Sequence, residues 1–241
     1  MAAVKTAKKE LRRHIKKVLS DVTSTAAREQ SQRVVKTLLS LPEYKAAKRI
    51  SVYMSMPKGE VSTIDIVKDA LASAKEVLIP YTHEVAQPVE GEPVSTMDML
   101  ALHSLEDYES LQSDRWGIPT PSRDSVAERV NCLGGHGTSS GHGTSEGNGG
   151  RTGLDLIVLP GMAFDTELRR LGHGKGYYDH FLTRICASMS RAGMTRRPFL
   201  VGLALTEQLL SRDEIVPTTS QDWQLDALIV GDGSLLRSAS D

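Results

Sequence analysis

Apolar positions recur at three- and four-residue intervals through Val4, Ala7, Leu11, Ile15, Val18 and Leu19, and this stripe predicts a helix over 4–20. A second helix is expected from Ala26 to Leu41, with Ser24 or Thr25 as its N-cap and Pro42 as its stop. From Arg49 the period changes. Arg49 to Met54 alternates and is rich in β-branched residues, which predicts a strand. The Pro57-Lys58-Gly59 loop follows, then a helix from Thr63 to Ala74 and a short strand over Glu76–Pro80. Residues 84–96 read as a loop, Met97–His103 as a strand, and Trp116 to Pro121 as a rigid extended segment, because each proline restrains itself and its predecessor.

Leu154 to Leu159 is nearly continuous apolar sequence, as expected of a strand buried inside a parallel sheet. A helix over 177–192 comes next, then strands over Phe199–Leu205 and Leu225–Val230 with a short helix at 207–212 between them. Strands alternating with helices predict an α/β layered fold. Residues 131–153 are low in complexity, rich in Gly and Ser, and read as a flexible surface loop.

Composition sharpens this picture in three places. The 241 residues carry 29 Lys+Arg against 30 Asp+Glu, but residues 1–49 hold 13 of the former and only 4 of the latter. A near-neutral total therefore hides a basic helical pair and an acidic body. The apolar runs are too short for a membrane span, and the N-terminus has no apolar core of a secretory signal. A cytoplasmic protein is expected. Glu10 and the lack of a Ser-rich stretch speak against a mitochondrial address without closing that option. Cys132 and Cys186 form neither a disulfide framework nor a metal-ligand spacing.

The candidate chemistry centres on Arg170-Leu171-Gly172-His173-Gly174-Lys175-Gly176-Tyr177-Tyr178-Asp179, which follows a strand and opens a helix. Alternate glycines allow close backbone approach, and a helix start offers free N–H groups with a positive dipole end. Arg170 and Lys175 add charge, and Asp179 suits either the dipole or a Mg²⁺. The spacing is neither the dinucleotide fingerprint nor a P-loop. It reads as a phosphate cradle or as a plain strand-to-helix turn with a cationic rim. Lys8 and Arg12, one helical turn apart, read as a polyphosphate clamp or a solvated basic face. Glu60 is a ligand for an N–H-rich group or an ordinary helix-start charge. Trp116 is a stacking face or a core anchor.

Taken in order, these pieces resemble the 5-formyltetrahydrofolate cyclo-ligase (5,10-methenyltetrahydrofolate synthetase) family. The resemblance rests on the Lys8…Leu11-Arg12 helix, Ser51 to Glu60, Trp116-Gly117-Ile118-Pro119, Leu159-Pro160-Gly161-Met162-Ala163-Phe164-Asp165, the loop from Arg170 to Asp179, and Val201-Gly202-Leu203-Ala204. It spans the chain apart from 84–96, 131–150 and the tail.

The resemblance implies one domain over 1–241, with a three-layer open sheet, helices on both faces, and likeness to Rossmann and sugar-phosphate isomerase folds. It implies ATP- and Mg²⁺-dependent closure of 5-formyltetrahydrofolate, polyglutamylated forms included, to the methenyl compound by a monomer, with no nucleic acid and no membrane. Lys8, Lys9, Arg12 and the stretch Arg170, Leu171, Gly172, His173, Gly174, Lys175, Gly176, Tyr177 and Tyr178 would contact ATP. Lys8, Arg170 and Lys175 would assist transfer. Met54, Glu60 and Trp116 would line the folate site, with the backbone of Gly174, Lys175, Gly176 and Tyr177 between the two ligands. Asp179 and Asp222 would hold the metal. His173 stands at a variable family position and receives no chemical role. The competing readings are a sugar-phosphate isomerase or transferase, which would need a catalytic base, and an RNA-binding module using the basic helices.

Overall fold

The computed structural model describes residues 2–85, 94–139 and 152–238. In chain order its elements are α1 (Ala2–Ser20), α2 (Ser24–Ser40), α3 (Pro42–Ala46), β1 (Arg49–Val52), α4 (Ile64–Ala72), β2 (Glu76–Glu84), β3 (Ser95–Leu102), α5 (Leu105–Glu109), β4 (Gln112–Ser113), β5 (Pro119–Thr120), α6 (Arg123–Val126), β6 (Leu156–Leu159), β7 (Ala163–Phe164), β8 (Arg170–Leu171), α7 (Tyr177–Arg191), β9 (Phe199–Ala204), a 3₁₀ turn (Thr206–Gln208), β10 (Ala227–Val230) and β11 (Leu235–Arg237).

Seven strands form one sheet in the order β11-β10-β9-β6-β1-β2-β3. The five inner strands run parallel, and β11 and β3 are antiparallel edges. Alternation along each strand sends side chains to two cores. Ile50, Val52, Val77, Ile79, Leu156, Val158, Val201 and Leu203 meet α2, α3 and α4 on one face. Leu78, Ile157, Leu159, Leu200, Leu228 and Val230 meet Phe181, Leu182, Ile185 and Met189 of α7 on the other. Helices therefore cover both faces of an open sheet, as expected.

The chain leaves β1 for β2 on one side and later returns to place β6 on the other. The sheet order thus reverses between β1 and β6, and the loops leaving their carboxyl ends border a crevice, the usual ligand position in open α/β sheets. α1 packs mainly beyond the sheet, with Leu19 reaching the first core. Ile15, with Leu11 and Leu19, packs on Ala163, Leu171, Leu210 and Val216, a small third core around the β7–β8 hairpin.

Several local expectations needed correction. Thr23 caps α2 by accepting the Ala26 N–H, one residue before the expected cap. Pro42 ends α2 but also opens α3, because its fixed φ suits a first helical turn. Thr63 precedes α4 yet gives its hydroxyl to the Tyr53 carbonyl at 2.7 Å instead of capping. β2 extends to Glu84, so the expected 84–96 loop is shorter, with 86–93 outside the described residues. Arg115-Trp116 forms the turn of the β4–β5 ribbon, and only Pro119-Thr120 of the expected rigid segment is extended strand. The helix expected at 207–212 is the single 3₁₀ turn.

The first part of the 131–153 segment is also built in rather than loose. Cys132 is buried in the second core, Asn131 donates to the Gly137 carbonyl, and the Ser139 amide and hydroxyl bind Asp98. Residues 140–151 lie outside the described residues.

Candidate active site at the sheet switch point

Three walls meet around the crevice. The glycine loop forms the first. β8 pairs with β7, which fixes Arg170 and Leu171 beside Phe164 and Ala163. Arg170 is buried. One terminal nitrogen donates to Asp179 at 3.0 Å, the other to the Pro160 carbonyl at 3.3 Å, and the guanidinium lies 5.6 Å from the Tyr178 ring centre. Its Nε has no partner among the described residues, a costly state for a buried donor. Leu171 faces the third core, so only its backbone borders the loop. His173, Gly174 and Lys175 are exposed, and Gly176 precedes the first turn of α7. Tyr177 reaches Ser95 at 2.9 Å.

α1 supplies the second wall. Lys8 Nζ contacts both Asp222 oxygens, at 2.6 and 2.7 Å, and Arg12 Nε donates to the Gly172 carbonyl at 2.7 Å. Gly174 sits at φ +106°, and a Cβ there would come within 3.4 Å of Arg12 Cζ, so a side chain would crowd the clamp as well as strain the turn. Burial lowers the Arg12 pKa, with Asp222 pulling the other way. Lys8 and Arg12 are therefore not a solvated face. Lys9 and Lys16 on the same helix are exposed.

The third wall follows β1. Met54 is buried in the first core, at the base of the loop rather than on its open side. Glu60 is 6% exposed by side chain; it accepts from the Met56 N–H at 3.1 Å and meets His173 Nε2 at 3.1 Å. Trp116 is 62% exposed, which discards the core-anchor reading. Its turn is held by Asp114, which accepts from the Trp116 and Ile118 amides. Gly117, at φ +78°, lies so close to Pro57 that a Cβ would stand 2.7 Å from Pro57 Cγ. This contact brings the indole's turn against the loop that carries Glu60. Leu19 of α1 reaches Gly59 of the same loop, so one helix touches both of the other walls.

The two candidate metal carboxylates are already engaged. Asp179 accepts from Arg170 and from the Trp223 amide at 3.1 Å. Asp222 binds Lys8 and the amide and hydroxyl of Thr219. Burial alone would raise its carboxyl, but Lys8 and Thr219 outweigh that and hold it below the usual range. No group of three or more acidic, His or Cys side chains able to hold a metal occurs among the described residues.

Residues that periodicity did not single out position these walls. Asp165, fully buried, accepts from the Glu167, Arg169 and Val216 amides and from Arg169 Nε, locking the turn between β7 and β8. Gln208 donates to the Gly161 carbonyl at 2.6 Å beside the carboxyl end of β6. Asp165 closes the Leu159-to-Asp165 stretch that carries the resemblance, whereas Gln208 lies in none of its pieces.

A profile of the 5-formyltetrahydrofolate cyclo-ligase family matches residues 4–132 and 140–231. The chain belongs to this family. The break in the match falls on the segment that carries Gly137 and Ser139. A probable 5-formyltetrahydrofolate cyclo-ligase of Schizosaccharomyces pombe is 31% identical over 225 residues, 92% of this chain and 94% of that protein. The 5-formyltetrahydrofolate cyclo-ligase of Mus musculus is 31% identical over 234 residues, 96% of this chain and 98% of that protein. The solved 5,10-methenyltetrahydrofolate synthetase of Aquifex aeolicus superposes with a TM-score of 0.64 at 28% identity, covering 95% of this chain and 92% of that one. Cyclo-ligase relatives therefore align along nearly the whole chain, crevice walls included. No helix among the described residues is long and apolar enough to cross a membrane.

Proposed function

We propose that the crevice binds ATP beside 5-formyltetrahydrofolate and closes the folate to 5,10-methenyltetrahydrofolate, releasing ADP and phosphate. The observation that carries this reading is the convergence of the α1 cations, the glycine loop and the Glu60–Trp116 wall on one switch point.

The N5-formyl oxygen is an amide oxygen and a poor leaving group. Transfer of the γ-phosphoryl group to that oxygen makes it a phosphate ester, and ADP departs. N10 then attacks the formyl carbon, phosphate leaves with the former formyl oxygen, and the N10 proton is lost. Such transfer depends on in-line placement and neutralised charge rather than a protein nucleophile. Lys8, Arg12, Arg170 and Lys175 supply the charge, and the free N–H groups at the start of α7 supply donors. The unpartnered Nε of Arg170 suits an anion. Glu60 would take an N–H-rich edge of the pterin, and exposed Trp116 would stack on a ring. We assign Mg²⁺ to the nucleotide, with phosphate oxygens and water as its main ligands, because Asp179 and Asp222 each already hold a cation.

We also take the enzyme to be a cytoplasmic monomer, since one chain supplies every wall; a relative in Arabidopsis thaliana is named as mitochondrial. Polyglutamylated folates are included as substrates because Lys16, Lys17 and Lys58 are exposed near the Leu19–Gly59 contact. The deciding experiment follows methenyltetrahydrofolate absorbance with and without ATP. Product that forms equally fast without ATP, or no product at all, would refute the reading.

A further inference from the structure

Glu60 and His173 approach from opposite sides of the crevice and from positions 113 residues apart. Both oxygens of Glu60 are committed before a ligand arrives: Oε2 to the Met56 amide and Oε1 to His173 Nε2. Two phenols also face this carboxylate, buried Tyr53 from the end of β1 and partly buried Tyr178 from α7. Burial first, and the Glu60 charge second, raises the pKa of each. The Tyr53 hydroxyl is spent on the Val61 carbonyl at 2.9 Å, and His173 is the side chain that donates to Oε1. The imidazole itself is 42% exposed. It sits on the loop segment whose neighbours, Gly172 and Gly174, lie against Arg170 and Arg12. One side chain thus ties the nucleotide loop to the Glu60 carboxylate of the folate wall.

We propose that His173 is a positioning residue that couples the two half-sites. It holds Glu60 while the crevice is empty and releases it to the folate when nucleotide draws the glycine loop onto its phosphates. This rests on the folate–nucleotide reading given above. An N–H-rich heterocycle and the imidazole compete for the same oxygen. Linkage makes the effect reciprocal, so a folate that captures Glu60 frees the loop and tightens nucleotide binding by the same factor. A half-exposed hydrogen-bonded pair of this kind supports a coupling of about three- to tenfold.

The test measures binding rather than turnover. 5-Formyltetrahydrofolate is titrated calorimetrically into the full chain with and without a saturating non-hydrolysable ATP analogue, for wild type, His173→Ala and His173→Asn. Wild type should bind the folate about three- to tenfold tighter with the analogue. His173→Ala should bind it tightly in both conditions, bringing the ratio to about one. His173→Asn, whose amide still donates to Glu60, should keep a ratio above one. An undiminished ratio in His173→Ala would overturn the coupling while leaving the folate reading standing. So would a uniform loss of folate affinity in that variant, since it would mark His173 as a plain ligand contact. Failure of wild type to bind folate in either condition would overturn both.

Discussion

Arg12 separates a ligand contact from a structural strap. Its Nε is used on the Gly172 carbonyl, and its two terminal nitrogens make no hydrogen bond among the described residues. Replacement by alanine removes one part-buried hydrogen bond, worth about 0.5–1.5 kcal/mol to the fold. It also removes charge-assisted contacts to phosphate, each worth about 1.5–3 kcal/mol. The first loss acts on folding and the second on nucleotide. The KM for ATP should therefore rise about tenfold to a hundredfold, while Tm falls by no more than about 6 °C. Arg12→Lys keeps the charge but loses the forked anchor, and should lie between the two. Initial rates of methenyl formation against ATP at saturating folate, beside a thermal melt, decide the matter. An unchanged KM with a clearly lowered Tm would show that Arg12 merely fastens α1 to the glycine loop.

Asp98 is fully buried and receives Arg184, His83 and Ser139. Burial pushes its carboxyl up, but these donors outweigh it and hold it below 3.8. Asp98→Asn should cost about 3 kcal/mol near neutral pH. A depressed carboxyl stabilises above its unfolded pKa and loses that contribution as pH falls. The Tm gap to wild type should therefore narrow between pH 5 and about pH 3, and a constant gap would refute the charge argument. Removing 142–149 should leave kcat/KM within about twofold, whereas removing 134–150 should lower Tm because it deletes the Gly137 and Ser139 contacts; equal melts would show those contacts to be idle. Burial pushes the Cys132 thiol up to about 12. Iodoacetamide at pH 8 should leave it unmodified in the folded protein, and mass spectrometry showing its rapid labelling would contradict that burial.

Much of the fold was legible because periodicity reports burial. The unbroken Leu156–Leu159 run announced a strand covered on both faces, and the 3.6-residue stripe of α1 marked the side that packs on Leu171 and Val216. β11 went unseen because its three residues, with Leu235 and Leu236 half-buried, form an edge with too little pattern to register. The site was legible as an inventory and not as a set of partners. The i, i+4 spacing of Lys8 and Arg12 is a local signal. Their contacts with Asp222 and Gly172 are not, since tertiary folding alone brings them together. Likewise, Asp179 read as a helix-start charge or a metal ligand. The Arg170 that engages it stands nine positions upstream in another element, beyond any helical or strand spacing.

The pairing of Lys8 with Asp222 also bears on how the enzyme is made. These residues are 214 positions apart, and Gln30, Arg33 and Thr37 of α2 likewise wait for Thr206, Gly231 and Gly233. During synthesis the basic helices leave the ribosome long before any of these partners exist. These side chains must remain solvated until their partners have emerged. Contacts this distant in sequence form late, because chain entropy must be overcome before they reward it. The Lys8 half of the phosphate clamp would then be among the last parts to assemble, and a nascent chain stalled before β9 would hold Arg12 and the glycine loop but lack the Asp222 that seats Lys8.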